Sequence, residues 1–489
     1  MLWRAFGASR PGKRRNRATT QSAWARLLAR WNVVVFAVAL HQVAARADEA
    51  VASLEPGELY FRIGGRQTFL LGRNPTGWQV AQFDPLLRWA SDSGERMVRV
   101  QLTTGLAHRA AAGEVDEAWA ARWDRVFDMA AENGLYVLPV FGVWADWNDG
   151  AKGERWHSWD KNSQNAALGG PAARPVELLT DTPCRKLWLQ WVEKLVRRWQ
   201  GRWNMLGWEV FSELDLISGS SEDAATDFVE RAAEVVRRAD SRSRPVTASV
   251  SGIREWPALF RSDALDLLQV HPYADHPRFR GNLCDMVIES VRQRLERYGK
   301  PVLIGESGLD SRGVRGTLVV APRAHIGIRH AIWASVVSGA MNGRMLWWED
   351  GYDQYERLDV RTRYKNASAP VARFVEGVDF AGFRPVQVTA TAGVSGAAIG
   401  HEQLVLGWFR DAQCGAPDWP TRRVEGEAVA LRVPGSTRQW QVSFYDTVSA
   451  DVVATQSVRG SAGEVRLLLP AFEDSIAFKM LAQRSQGQG

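Results

Sequence analysis

Short apolar runs alternate with amphipathic stretches along most of the chain, and this alternation predicts parallel strands joined by helices. The run 205–211 has the length of a buried strand, and 117–132 spaces its apolar residues as one face of a helix does. The predicted strands are 96–102, 135–141, 205–211, 245–250, 265–270, 302–305 and 343–348, and the predicted helices are 117–132, 185–199, 223–239, 285–298 and 324–338. The pattern is long enough for eight strands, so we predict a (β/α)8 TIM barrel over residues 54–377.

A doubly wound open sheet is the alternative for this alternation. Such sheets carry a glycine-rich phosphate-binding loop after the first strand, and the sequence shows no such loop there. We therefore favour the barrel.

The pattern changes at both ends of the barrel region. From about residue 378, period-two runs separated by Gly, Pro and Asp predict a small antiparallel β-sandwich over 378–483, followed by a disordered polar tail at 484–489. Before the first barrel strand, Gly64-Gly65 predicts the turn of a hairpin that closes the bottom of the barrel.

Residues 1–47 have the character of an export leader. They contain nine of the 61 lysines and arginines and no acidic residue, an apolar stretch at 31–40, and a small-residue cleavage pattern ending at Ala47. We predict a signal peptide and an exported protein, periplasmic or extracellular. An uncleaved anchor in the inner membrane is the alternative, although a span needs about 20 apolar residues.

The excess of basic over acidic residues in the chain comes from this leader. The remaining residues include 52 bases against 55 acids, so we expect no nucleic-acid partner. The three cysteines, Cys184, Cys284 and Cys414, show neither disulfide nor metal-ligand spacing. His157, Asp275 and His276 also lack the spacing of metal ligands, and we expect no metal and no cofactor.

Two glutamates, Glu213 and Glu306, each end an apolar run that we predict to be a buried strand. A buried carboxylate without a partner is costly, whereas one at the C-terminal end of a barrel strand opens into a cleft. These strand ends converge at the barrel mouth, so we expect the two carboxyls to lie close together. Paired carboxylates carry out retaining glycoside hydrolysis, one as acid and base and the other as nucleophile.

Three further side chains are placed to assist the pair. Arg99 on the second strand would keep the nucleophile charged if it points inward, and a structural ion pair is the alternative. Tyr273, just after the sixth strand, is placed to donate to the nucleophile. His271 is placed to orient either carboxyl or a sugar hydroxyl, or else to fill the core. We expect the pKa values of the two carboxyls to be pushed in opposite directions.

Tryptophan is unusually abundant, with 23 residues, and indole rings stack well on the apolar faces of sugars. A long segment, 146–183, follows the third strand on the face where barrel sites are built. Trp144 lies just before this segment, and Trp147 lies at its start. Trp347 and Trp348 follow the eighth strand. We expect some of the four to contact sugar, with plain packing as the alternative for each.

These motifs resemble those of clan A glycoside hydrolases, most closely the family 5-like cellulases and mannanases, over nearly all of residues 54–483. The resemblance implies that Glu213, which ends Trp208–Glu213 on the fourth strand, is the acid and base. It implies that Glu306, in Ile304–Gly308 on the seventh strand, is the nucleophile. It also implies His271-Pro272-Tyr273 as the sixth-strand motif and Trp347 or Trp348 as the eighth-strand aromatic.

The sequence departs from that family beside the acid and base. The family has Asn there, where it contacts the sugar 2-hydroxyl, and this chain has Ser212. Ser is shorter and offers a single hydroxyl. The departure implies a different sugar at that position, a bridging water, or slow turnover.

The sequence therefore predicts an exported retaining glycosidase that acts on a β-linked polysaccharide or oligosaccharide. A transglycosylase, which uses the same residues, is one alternative. The other is a non-catalytic polysaccharide-binding protein of an exopolysaccharide export system, which Ser212 favours and the presence of both glutamates disfavours. Oligomeric state, sugar and linkage are left open by the sequence.

Overall fold

The computed structural model describes the chain from Val51 to Gln483 with several gaps. The described ranges are 51–77, 79–103, 110–150, 158–180, 182–312, 316–348, 363–433 and 439–483. The predicted leader, His157 and the predicted tail at 484–489 lie outside these ranges.

A short hairpin precedes the barrel, as the glycine pair predicts. Strands β1 (Phe61–Ile63) and β2 (Arg66–Thr68) pair antiparallel. Gly64 and Gly65 between them both have positive φ, 55° and 79°, which side chains with a Cβ rarely adopt.

Eight described parallel strands form the barrel. They are β3 (Leu70–Arg73), β4 (Met97–Gln101), β5 (Tyr136–Val143), β6 (Trp208–Ser212), β7 (Val246–Thr247), β8 (Leu268–Val270), β9 (Val302–Ile304) and β10 (Asn342–Arg344). Six of them form one sheet in the order β10-β3-β4-β5-β6-β7, and β8 pairs with β9. Backbone hydrogen bonds from Asp266 to Val246 (3.0 Å) and from Met341 to Val302 (2.9 Å) join the two groups and close the ring.

Helices cover the outside of the barrel. They are α1 (Val80–Asp92), α2 (Glu117–Glu132), α3 (Pro183–Trp199), α4 (Glu222–Ala239), α5 (Pro257–Arg261), α6 (Leu283–Tyr298), α7 (Ala324–Ser338) and α8 (Ala369–Val375). Helix α2 shows how the sequence sets its limits. Asp116 caps its start by accepting from the Trp119 N–H, and Gly134, with φ of 68°, follows its end. This architecture confirms the predicted (β/α)8 barrel.

The C-terminal part is an antiparallel β structure, as predicted. Its strands are β11 (Arg384–Ala390), β12 (Val394–His401), β13 (Leu404–Asp411), β14 (Arg423–Val424), β15 (Ala428–Arg432), β16 (Gln439–Asp446), β17 (Val452–Arg459), β18 (Glu464–Leu468), β19 (Phe472–Glu473) and β20 (Ser475–Ala482). Eight of them form one sheet in the order β17-β16-β20-β13-β12-β11-β15-β18, and β14 pairs with β19. Their inward side chains form a core of their own.

Helix α7 joins the barrel to this sandwich. It is apolar on almost every side, and nearly all of its residues are buried, because it lies between the two parts. The Trp333 indole N–H donates to the Thr447 carbonyl of the sandwich at 3.0 Å. Gly327 leaves room for the ring of Trp419, which would lie 2.6 Å from an added Cβ.

Within the described part of the chain, none of the helices has both the length and the apolar character that crossing a membrane requires.

Candidate active site

Glu213 and Glu306 lie just beyond the C-terminal ends of β6 and β9, at the mouth of the barrel. They are 8% and 4% exposed, so both carboxyls are almost fully enclosed. Glu213 has a left-handed backbone, with φ of 62°, and its N–H donates to the Ser249 hydroxyl at 3.0 Å. A non-glycine residue in this conformation stores strain of about 1–3 kcal/mol, which is typical of functional sites.

Arg99 points into the barrel from β4 and bridges two carboxylates. Its Nε and Nη2 donate to Glu209, each at 2.7 Å, and its Nη1 donates to Oε1 of Glu306 at 3.0 Å. All three side chains are buried. Arg99 is therefore both a structural ion-pair partner and a direct neighbour of Glu306, and Glu209 is a group of the barrel interior.

Glu306 has two further hydrogen-bond donors. The Tyr273 hydroxyl donates to Oε2 at 2.8 Å, and the Gln101 carboxamide donates to Oε1 at 3.2 Å. Each bond favours the charged form of the carboxyl.

His271 lies between the two glutamates. Its Nδ1 is 2.8 Å from Oε1 of Glu213 and 3.8 Å from Oε2 of Glu306. Burial lowers the pKa of His271, so the ring is neutral at pH 7. A neutral ring with its proton on Nδ1 donates to Glu213 and fixes the orientation of that carboxyl.

Burial raises the pKa of both glutamates, which differs from the expected opposite shifts. Burial is the main cause for Glu213, and the charge of Asp215 adds to it, so that the pKa reaches about 8. Burial also raises the pKa of Glu306, against the opposing effects of the Arg99 charge and the Tyr273 hydrogen bond. Two enclosed carboxyls this close titrate as a pair, because the charge of each one disfavours the charge of the other.

The two carboxyls differ in their hydrogen-bond donors. Glu306 accepts from Arg99, Gln101 and Tyr273, all of which stabilise its charged form. Glu213 has His271 as its side-chain partner. The charged form is therefore stabilised by more donors at Glu306 than at Glu213.

Ser212 does not face the cleft. It is fully buried, and its Oγ accepts from Nη2 of Arg99 at 2.8 Å. The hydroxyl at this position therefore holds Arg99 in place and is not presented to a ligand.

A cleft of about 560 Å³ opens above the pair. Three tryptophans line it, Trp144, Trp347 and Trp348, together with Gln101, Tyr273 and both glutamates. Apolar surface with a few convergent polar groups is typical of ligand-binding clefts. Glu213 and Glu306 are thus the acids at the base of an aromatic-lined cleft.

Two solved structures that share this architecture are described as glycoside hydrolases. One is described as a glycoside hydrolase, with 13% identity and a TM-score of 0.57, and the match covers 91% of this chain and 99% of that one. Another is a family 5 glycoside hydrolase from Bacteroides vulgatus, with 14% identity and a TM-score of 0.59, and the match covers 89% and 94%. The chain shares the fold of these two enzymes. No protein-family model and no curated protein matches the sequence.

One residue predicted to line the cleft lies elsewhere. Trp147 is 3% exposed, and its ring packs on Trp159 with centroids 5.5 Å apart. The described residues that line the cleft do not include it. Trp147 and Trp159 belong to the core of this side of the barrel, where burial of an indole is strongly favourable.

Sequence reasoning missed three residues of the site. Gln101 follows Arg99 by two positions on the same strand, and this spacing alone places both on one face. Asn74, just after β3, donates to the carbonyls of Gly305 and Met345, each at 3.1 Å. Asp215 lacks a local signal, because its effect on Glu213 depends on the turn after β6.

Glu213, His271 and Glu306 place ligand atoms within 4.8 Å of one another, as a metal site would. The guanidinium of Arg99, 3.0 Å from Glu306, already supplies positive charge there and would repel a cation. Proton transfer therefore fits this group of side chains better than metal binding.

Proposed function

We propose that the protein is a retaining glycoside hydrolase that cleaves β-linked polysaccharide or oligosaccharide, with Glu306 as nucleophile and Glu213 as acid and base. The observation that carries the proposal is the closeness of the two carboxyls. A carboxyl oxygen of each lies within 4.8 Å of the other. Retaining enzymes hold their carboxyls about 5–5.5 Å apart, whereas inverting enzymes leave about 6.5–9.5 Å for a water molecule.

In the first step, charged Glu306 attacks the anomeric carbon while Glu213 gives its proton to the departing glycosidic oxygen. The bond to the leaving sugar breaks and a glycosyl ester forms. In the second step, Glu213 takes a proton from water, the water oxygen bonds to the anomeric carbon, and Glu306 leaves as a carboxylate. The sugar keeps its configuration because it is inverted twice.

The surroundings of each glutamate support its assignment. His271 donates through its Nδ1–H to Oε1 of Glu213. The other oxygen, Oε2, is therefore the one that carries the proton for the leaving glycosidic oxygen. Arg99 beside Glu306 stabilises the carboxylate before attack and again when it leaves. Trp144, Trp347 and Trp348 offer flat apolar surface for sugar rings. We further propose, from the leader, that the enzyme is exported.

The two assignments can be separated with glycosides of different leaving groups. Glu213→Gln should lose about 10²- to 10⁴-fold on a natural β-glucan, mannan or xylan, where the leaving oxygen needs a proton. It should still react with 2,4-dinitrophenyl glycosides, whose leaving group needs none. Glu306→Gln should lose turnover on both classes. Glu234→Gln, on the exposed face of α4, is the matched control and should behave as wild type.

Azide gives a stereochemical check of the same assignments. Glu306→Gly with azide should yield a glycosyl azide of inverted configuration, because azide replaces the nucleophile and reacts once. The absence of inversion would sink the retaining mechanism. Glu306→Gln with unimpaired hydrolysis would show that the nucleophile is elsewhere. Wild-type protein that binds glycans and cuts none would favour the non-catalytic alternative.

A further inference from the structure

The two oxygens of the Glu306 carboxyl have different surroundings. Oε1 accepts from Arg99 at 3.0 Å and from Gln101 at 3.2 Å. Oε2 accepts from the Tyr273 hydroxyl at 2.8 Å. A carboxylate oxygen has two lone-pair directions, so Oε1 has donors for both and Oε2 keeps one direction for a bond to carbon.

Gln101 is the neutral one of the two donors to Oε1, and it lines the cleft. It lies on β4 two residues after Arg99, so both side chains leave the strand on the same face. Arg99 is buried below, whereas Gln101 is partly exposed and lines the cleft beside Glu306. Ser212, the neutral polar side chain next to Glu213, is turned away into the contact with Arg99.

We propose that Gln101 is a catalytic residue that stabilises Glu306 as it leaves the glycosyl ester. This inference rests on the proposed function and adds a residue to it. Oε2 forms the bond to the anomeric carbon, and Oε1 becomes the carbonyl oxygen of the ester. When water attacks, the electron pair of the carbon–Oε2 bond returns to the carboxylate. The charge that spreads onto Oε1 is then met by the Gln101 N–H.

The same hydrogen bond has opposite effects on the two steps. A charged carboxylate accepts a hydrogen bond more strongly than an ester carbonyl does. The Gln101 donor therefore favours the free carboxylate over the ester, so it speeds hydrolysis of the ester and does not speed its formation. Arg99 remains in every Gln101 variant and keeps the carboxyl charged.

The variant that tests this is Gln101→Met, which keeps the length of the side chain and removes the donor, with Gln101→Leu as a second apolar replacement. Gln439→Met, on an exposed sandwich position, controls for the chemical change, and thermal unfolding controls for folding. The probes are 2,4-dinitrophenyl β-glycosides of mannose, glucose and xylose and of their β-1,4-linked disaccharides. The measurements are kcat, KM, the burst of dinitrophenol, and the mass of acid-quenched protein.

We expect kcat of Gln101→Met to fall on the order of ten- to a hundred-fold, the loss typical of one hydrogen bond to a charged group. KM should fall with it, so that kcat/KM stays within about threefold of wild type, because the first step is not slowed. The burst should grow, and most of the quenched protein should carry one glycosyl group. Added azide should raise kcat.

Parallel loss of kcat and kcat/KM in both folded Gln101 variants, with no burst, would overturn the proposal and make Gln101 a structural residue. Unchanged kcat would overturn it as well. Either result leaves the proposed function intact if Glu306→Gln is inactive. Wild-type protein that neither releases dinitrophenol nor carries a glycosyl group with any probe would overturn the proposed function, and this proposal with it.

Discussion

At the scale of single residues, Asp215 shows how a neighbouring charge acts on the pKa of Glu213. Its side chain is fully buried, and it accepts from the Ser251 N–H at 2.7 Å and from the Ser251 hydroxyl at 2.6 Å. Burial is the main cause of the raised pKa of Glu213, and the negative charge of Asp215 is the next one. The two together keep Glu213 protonated at neutral pH.

Asp215→Asn should move the alkaline limb of kcat/KM to lower pH. In the proposed mechanism, activity requires protonated Glu213 and is lost as the pH rises through its pKa of about 8. Removing the negative charge of Asp215 lowers that pKa, because this charge is one of the causes that raise it. The pH dependence of kcat/KM measures the limb. Asp263→Asn, at an exposed position, is the control, and an unmoved limb in Asp215→Asn would contradict the assignment of Glu213.

At the scale of elements, the end of β9 depends on a glycine beside its glutamate. A Cβ on Gly305 would lie 2.0 Å from Oε1 of Gln269 and 2.6 Å from Nε2 of His271. The side chains of Gln269, on β8, and of His271, just after β8, thus fill the space above Gly305. This close approach of the two strands sets the position of His271 against Glu213.

Gly305→Ala should destabilise the protein by about 1–3 kcal/mol, because buried groups must move to admit the methyl group. It should also lower kcat, since the displaced ring is His271. Gly201→Ala is the matched control, because a Cβ there meets no atom within 4 Å. Urea unfolding and kcat are measured together. A Gly305→Ala protein as stable and as active as the control would show that strand spacing does not hold His271.

At the scale of the whole molecule, Asp474 of the sandwich forms a charged contact with helix α7 of the barrel. This carboxylate accepts from Arg329 at 2.5 Å and from His330 at 3.1 Å, both on α7. These contacts lower its pKa to about 2, even though burial opposes the shift. The two parts of the described chain are therefore joined by a charge as well as by apolar packing.

Asp474→Asn should cost about 2 kcal/mol of unfolding free energy at neutral pH, from the difference between the folded and unfolded pKa values. Because the folded pKa is the lower one, the stabilisation is present above about pH 4 and is lost as the pH falls towards 2. Asn tolerates the positive φ of 49° at this position. Unfolding curves from pH 7 to pH 2 should converge for wild type and variant, and parallel curves would contradict the linkage.

The sequence by itself determined the order of the elements and the two strand ends at which the glutamates lie. Periodicities of two and of 3.6 are local, so they predict strands, helices and turns, and the barrel then brings the strand ends of Glu213 and Glu306 together. The positions of Arg99, His271 and Tyr273 beside the pair follow from strand order and parity in the same way.

Only the tertiary structure decided which side chains of the site contact each other and how burial shifts their pKa values. Gln101 lies 205 positions from Glu306, and no local pattern encodes a hydrogen bond across the barrel. Burial raised both pKa values where opposite shifts were expected, because the cleft encloses both carboxyls. Trp147 packs into the core of the barrel and Ser212 turns towards Arg99. Each of these outcomes depends on distances between side chains of different elements, and those distances are fixed only when the barrel closes.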